Sequence, residues 1–200
     1  GGWLLSGGIS AANCIVAYQS KGAASYAKSL LDLSGNGNDA YEGNAPDWNA
    51  ETGWDFKSAN ADFLAIPNLP VDLQSATIAI RFGGVTGGIY WFGSTEFPDN
   101  TYYRPTDIRW YGESLEISNE ASTIIQTADG GSQYGWQDGV SIGSNSGIAS
   151  GNGTATNWSL GTIRQNTNYV SDVTIQAWAY YTIPITSDQV SALTTAMNAL

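Results

Sequence analysis

The sequence predicts an all-β protein, a two-sheet antiparallel jelly-roll sandwich with a short C-terminal helix. Three observations carry that reading. Short stretches rich in β-branched and aromatic residues recur along the chain. Breaks rich in glycine and asparagine separate them at regular intervals, as sandwiches and jelly rolls require. A capped, helix-periodic stripe stands at the end of the chain.

In chain order, NCIVAY (13–18), ADFLAIP (61–67), ATIAIRF (76–82), GGIYWFG (87–93) and DIRWYG (107–112) read as strands. LEISN (115–119), STIIQT (122–127), WSLGTI (158–163) and DVTIQAWAYYT (172–182) complete the set. The segments GGVTGG, ADGGS and GSNSG hold residues that tolerate positive φ and read as turns between them. KGAASYAKSLLDL (21–33) places Ala24, Tyr26–Ala27 and Leu30–Leu31 at helical spacing, enough for a turn or two. Near the end, Thr186-Ser187-Asp188-Gln189 fits a capping box, with Thr186 at N-cap and Gln189 at N3. Val190, Leu193, Ala196 and Met197 then form one apolar stripe that should lie on the sandwich.

A chain of 200 residues with 42% hydrophobic content suits one domain with a substantial core. Charged residues make up only 12%, so the polarity comes from Ser, Thr, Asn, Gln and Gly, a surface that suits secreted, cell-surface or virion proteins. Eighteen acidic against seven basic residues leave a net charge of −11, a field that repels nucleic acid and anionic membranes. The absence of histidine removes Ser-His-Asp and Cys-His sites and the commonest zinc ligand. Cys14, the single cysteine, lies in apolar ANCIVAY and reads as a small buried hydrophobe. No run reaches the ~20 apolar residues of a membrane-spanning helix. The opening GGWLLSGG has neither methionine nor a basic leader and reads as a processed product or a fragment.

LDLSGNGNDAYEG (31–43) raises the question of a metal loop. Asp32, Ser34 and Asn36 alternate before Gly37, as in the first half of an EF-hand. The twelfth position, however, is Gly43, and Glu42 falls one place short, so the EF-hand reading fails and turn chemistry is favoured. The same segment resembles the Asp-x-Ser-Gly-Asn-Gly-Asn-Asp turn near the start of laminin-G-like, concanavalin A-type lectin domains. GWDFKSANADFLAIP (53–67), SATIAIRF (75–82), YGWQDGV (134–140), NWSLGTI (157–163) and the closing DVTIQAWAYYTIPITSDQVSALTTAM are similar to that family in order and spacing, over about residues 30–198. The resemblance implies two curved sheets in one domain spanning 1–200. Residues 1–30 lie outside the usual pattern and are similar to openings seen in phage structural proteins. It also implies that SGNGND reverses the chain into a strand beginning near Ala40–Tyr41. Some members hold a structural calcium, and Asp32, Asn36 and Asp39 are where one would sit; no other cofactor is expected.

The same fold hosts glucanases with a Glu-x-Asp-x-Glu strand. GESLEISNE (112–120) places Glu116, Ser118 and Glu120 at alternate positions, so Glu116 and Glu120 are the catalytic candidates if the chain is an enzyme. The central aspartate of the pattern is Ser118 here, which removes the group that holds its neighbour. The chain therefore reads as a non-enzyme.

Eight tryptophans and eleven tyrosines are many for this length, and Trp54, Trp158 and Trp178 fall in strand patterns that the family buries. EFPDNTYYRPTDIRWYGE (96–113) crowds Tyr102, Tyr103, Trp110 and Tyr111 beside Arg104 and Arg109. Aromatic platforms beside planar hydrogen-bonding groups suit sugar rings, and contiguous exposed aromatics mark contact surfaces. These six residues are the predicted ligand site. The expectation is thus a non-catalytic recognition or adhesion module for a glycan or a cell-surface or virion protein, within a larger extracellular or phage virion assembly. A purely structural virion or filament module of the same fold is one alternative and a β-glucanase-like glycoside hydrolase the other, with a homo-oligomer among the expected partners.

Overall fold

A computed structural model describes residues 2–67, 69–72, 74–88, 92–94, 101–103, 107–110, 113–147, 152–155, 158–163, 165, 167–168 and 170–200. The chain is an all-β sandwich with one helical turn, α1 (Tyr26–Ser29), and one short C-terminal helix. Its strands begin with β1 (Cys14–Gln19), β2 (Tyr41–Asn44), β3 (Asp47–Asn49), β4 (Gly53–Phe56), β5 (Phe63–Ala65) and β6 (Leu69–Asp72). The middle holds β7 (Ser75–Gly88), β8 (Phe92–Ser94), β9 (Thr101–Tyr103), β10 (Asp107–Trp110) and β11 (Glu113–Glu116). The rest are β12 (Ser122–Asp129), β13 (Ser132–Gln137), β14 (Val140–Ser146), β15 (Asn152–Ala155), β16 (Ser159–Leu160) and β17 (Ser171–Tyr181).

Among the described residues, an eight-stranded antiparallel sheet runs β14-β13-β12-β7-β17-β4-β3, with β1 also paired to β17. The facing seven-stranded sheet runs β11-β10-β9-β8-β16-β5-β2, and β15 with β6 makes a two-stranded ribbon. Alternation along β17, its phase reset by the irregularity between Ile175 and Ala177, explains why it sits inside the larger sheet. Val173, Ile175, Trp178 and Tyr180 enter the sandwich core, while Ala177, Ala179 and Tyr181 are buried on the opposite face. Across the strands the inner row is Tyr18–Trp178–Ile80–Ile124, and the outer row is Ala17–Ala179–Ala79–Ile125. Tyr18 stacks on Trp178 with centroids 5.9 Å apart and meets Trp54 edge-on at 6.3 Å. Each such pair adds about 1 kcal/mol beyond the area it buries.

The outer row of alanines is a shallow seat, and helix α2 (Ser187–Asn198) covers it with Val190, Leu193 and Met197. Thr186 Oγ1 accepts the Gln189 amide at 3.3 Å and Gln189 Oε1 accepts the Thr186 amide at 3.0 Å, the predicted capping box. The segment Gly2–Gly8, largely 3₁₀, lies against α2 and contributes Trp3 and Leu4 to this second core. Together they cover only part of the sheet's outer face. No helix of the described residues is long and apolar enough to cross a membrane.

Several expectations hold at the level of single residues. Trp54, Trp158, Trp178 and Cys14 are buried, and SGNGND leads into β2 at Tyr41. The 21–33 stretch yields one helical turn, Tyr26–Ser29, capped by Ser25. Others are corrected. GGVTGG is no turn: it is the last part of the 14-residue β7, held by ladders to β17 on one side. GSNSG likewise lies mostly within β14. The strand expected over 115–119 ends at Glu116, because Ser118 is drawn instead to the Gln137 side chain, whose Oε1 accepts the Ser118 amide at 3.0 Å.

Candidate functional site

The predicted aromatic site divides three ways. The backbones of Tyr102 and Arg109 pair across β9 and β10, and Trp110 pairs with Glu113 of β11. Arg104 and Tyr111 lie outside the described residues. Tyr103 belongs to the sandwich core at 0% exposure, so its ring faces no solvent; burial also raises its phenol well above the ordinary tyrosine value. Of the catalytic candidates, Glu116 ends β11 and Glu120 lies four residues on in an exposed bend, so the two do not share a strand face.

The 31–43 loop is organised around one carboxylate. Asp32 Oδ1 accepts the amides of Ala17 at 3.0 Å and Ser34 at 2.9 Å. Its Oδ2 accepts the Ser34 hydroxyl at 2.8 Å and the Asn38 amide at 3.0 Å. Asp39 Oδ1 accepts the Asp32 amide at 2.8 Å, and Asn36 turns its amide nitrogen to the carbonyls of Cys14 and Ile15. Gly35 and Gly37 take φ of 89° and 77°, the positive values that so tight a reversal demands. The loop therefore pins the chain to β1. Among the described residues no three His, Cys, Asp or Glu side chains form a group suited to a metal ion.

A feature the sequence reading missed lies on the uncovered half of the larger sheet's outer face. On β17, Val173 and Ile175 point inward, so Asp172 and Thr174 point outward. Asp55 of β4 pairs with Thr174, and Gly84 of β7 pairs with Thr174 from the other side. Asp55, Lys57, Gly83, Gly84, Thr86, Asp172, Val173 and Thr174 line an open cleft of about 230 Å³. The glycines supply a floor of bare peptide planes flanked by polar walls.

Its electrostatics are acidic. Lys57 Nζ lies 2.6 Å from Asp55 Oδ2, with both side chains about two-fifths exposed (43% and 37%). Its ammonium is held above the ordinary value, first by the hydrogen bond to Asp55, then by the charges of Asp55, Asp172 and Asp47, while burial works against it. Asp172 Oδ1 accepts the Ser58 amide at 2.7 Å, which fixes that carboxylate over the strand. A Cβ at Gly87 would come within 2.9 Å of Asp172 Oδ2, so glycine there makes room for it. Behind the floor, Gln176 Nε2 packs against Gly83; the residue is 9% exposed, and its Oε1 is buried without a hydrogen-bond partner. Planar carboxylates, an amide and a hydroxyl around a flat floor can bind hydroxyl-rich ligands.

A second surface is aromatic. Tyr134 and Trp136 stand two apart on β13 with ring centroids 6.3 Å apart, tilted by 30°, and Tyr134 is 39% exposed.

No family model and no curated protein matches the sequence. The fold is shared with solved structures. The binding domain of botulinum neurotoxin serotype D matches with a TM-score of 0.67 at 11% identity, over 92% of this chain and 52% of that chain. A serotype D ligand-binding domain in complex with N-acetylneuraminic acid gives 0.68 at 12% identity, over 92% and 51%. Domain 4 of AbnA, a GH43 extracellular arabinanase from Geobacillus stearothermophilus, in complex with arabinotriose, gives 0.60 at 13% identity, over 91% of this chain and 98% of that one. The chain thus spans about half the length of the toxin binding domains and nearly all of the arabinanase domain. At these identities the likeness is one of fold.

Proposed function

We propose that the chain is a non-catalytic glycan-recognition module of laminin-G-like type, working within a larger extracellular or virion assembly. The observation that carries the reading is the cleft of Asp55, Lys57, Asp172 and Thr174 over Gly83 and Gly84. It offers the planar acceptors and donors that sugar hydroxyls require, on a sheet face left open by α2. The arabinotriose complex supports the choice of ligand class, since that domain is matched over 98% of its length. Binding is favoured over hydrolysis because Asp55 is engaged by Lys57 and Asp172 by the Ser58 amide, while Glu116 and Glu120 stand on different elements. Tyr102, Arg109 and Trp110 remain a second contact within the proposal.

A glycan array followed by amide-resolved NMR titration tests it. A bound glycan should shift the amides of Gly83, Gly84 and Thr174. Thr174→Val, which removes one hydroxyl partner, should weaken binding roughly three- to tenfold. If Trp110→Ala abolishes binding while Thr174→Val leaves it intact, the contact belongs to 102–111 instead. A protein blank against every glycan ends the reading.

The assembly reading of the same fold draws on β14, an edge strand exposed along most of its length, with Val140 at 69%. Light scattering after size exclusion should then give a multimer; a strict monomer counts against it.

A further inference from the structure

We infer that the cleft selects neutral saccharides and rejects acidic ones; this deepens the glycan reading above and rests on it. Among the described residues that line the cleft Lys57 is the one cation, and its ammonium is already 2.6 Å from Asp55. A sugar carboxylate would have to share a cation whose charge Asp55 already counters. Arg81, further along the same face, is itself 3.8 Å from Asp138. Against these stand Asp55 and Asp172 in the cleft wall, and Asp47 paired directly opposite Asp55 on β3. Each nearby carboxylate disfavours an incoming anion by roughly fivefold at about 4 Å even with the dielectric of bulk water. The whole molecule, at −11, adds repulsion of the same sign.

Gln176 is the uncharged polar residue packed beside the floor. Its amide is nine-tenths buried against the Gly83 floor, and its Oε1 has no hydrogen-bond partner. That buried amide leaves no charge beside the floor to compensate an incoming anion, so the discrimination rests on the carboxylates of the wall. The walls thus offer more acceptors than free donors, which is the complement of a neutral polyol.

The test is a set of NMR and calorimetric titrations of the full chain with four probes. Arabinotriose and maltotriose are neutral; N-acetylneuraminic acid and a galacturonic acid trimer are anionic. The neutral sugars should shift Gly83, Gly84 and Thr174, with the acidic ones at least about tenfold weaker, and salt between about 0.02 and 0.3 M should narrow the gap. Asp172→Asn keeps an oxygen for the Ser58 amide and should move the acidic-to-neutral affinity ratio about fivefold towards the acids. An unmoved ratio in a variant with unchanged circular dichroism overturns the inference. So does tighter binding of the acidic probes, which would leave glycan recognition standing. Displacement of bound sugar by oligolysine would assign the cleft to a cationic partner and also overturn it. Silence with all four probes removes the inference together with the reading it rests on.

Discussion

Asp32 and Asn38 are joined across their loop: the Asn38 amide donates to Asp32 Oδ2 at 3.0 Å, while Oδ1 of the same carboxylate holds Ala17 of β1. Four donors converge on this one side chain. Asp32→Ala should therefore cost about 3 kcal/mol, with Asp32→Asn between it and the parent, as measured by chemical denaturation. Because protein donors already occupy both oxygens, chelator should leave the melting temperature within about 1 °C of its starting value. A calcium-dependent rise of several degrees would instead make the loop a cation site.

Alkaline pH should unfold the protein for a reason visible in its core. Burial, aided by the Asp32 charge, pushes the Cys14 thiol up to about 12 from 9.0, and burial raises Tyr18, Tyr103 and Tyr181 above the usual tyrosine value of 10.0. Below pH 9 these groups are protonated in both states and the stability is complete. Above it the unfolded chain releases protons that the folded chain retains, so stability falls by about 1.4 kcal/mol per pH unit for each group until its folded value is passed. Tyrosinate absorbance from the buried rings should appear together with loss of the circular dichroism signal. Their titration near pH 10 in a chain with unchanged circular dichroism would contradict this. In the same way, native Cys14 should resist thiol reagents at neutral pH and react only in denaturant.

Gly161 has φ of 86°, and a Cβ there would overlap the Phe56 ring and lie 2.8 Å from the Asp62 carbonyl oxygen. Gly161→Ala should cost more than about 3 kcal/mol, through both backbone strain and overpacking. Gly130→Ala is the control. Its φ is also positive, at 55°, but the space beside it is open, so a loss of about 1 kcal/mol is expected. Equal losses at both sites would show that crowding at Phe56 adds nothing.

Gln126 and Gln133 form a polar pair inside the sandwich. Gln126 lies between Ile124 and Ala128 on the inner face, and its Nε2 donates to Gln133 Oε1 at 2.7 Å; Gln126 Oε1 and Gln133 Nε2 have no hydrogen-bond partner. Gln133→Met alone strands the Gln126 amide and should cost about 2 kcal/mol. The double replacement by Met should return to within about 1 kcal/mol of the parent. A double-mutant cycle reads that coupling directly, and additive losses would refute it.

The strands, the capped helix and the buried tryptophans were legible because alternation and capping are local patterns. Thr186 and Gln189 announce their helix within four residues. GGVTGG was misread for a physical reason: glycines carry no side chain to alternate, so a strand built from them has the composition of a turn until its ladder partners are known. The cleft was hidden for a related reason. Asp55 and Lys57 do alternate in WDFK, but Ser58 and Asp172, which fix its wall, are 114 residues apart, and no spacing rule links them. Tyr103 shows the converse. Its neighbours suggested an exposed aromatic cluster, yet its register opposite buried Ile108 puts it in the core.

The position of β17 has a kinetic consequence. It is the ladder partner of β1, β4 and β7, yet it is the last strand in the sequence. During synthesis β1 therefore waits through more than 150 residues for its neighbour, exposing Val16 and Tyr18 meanwhile. Folding must be slow and late, dominated by distant contacts, and a ribosome-bound nascent chain that stops short of Ser171 should be a client for chaperones rather than a partly built sandwich.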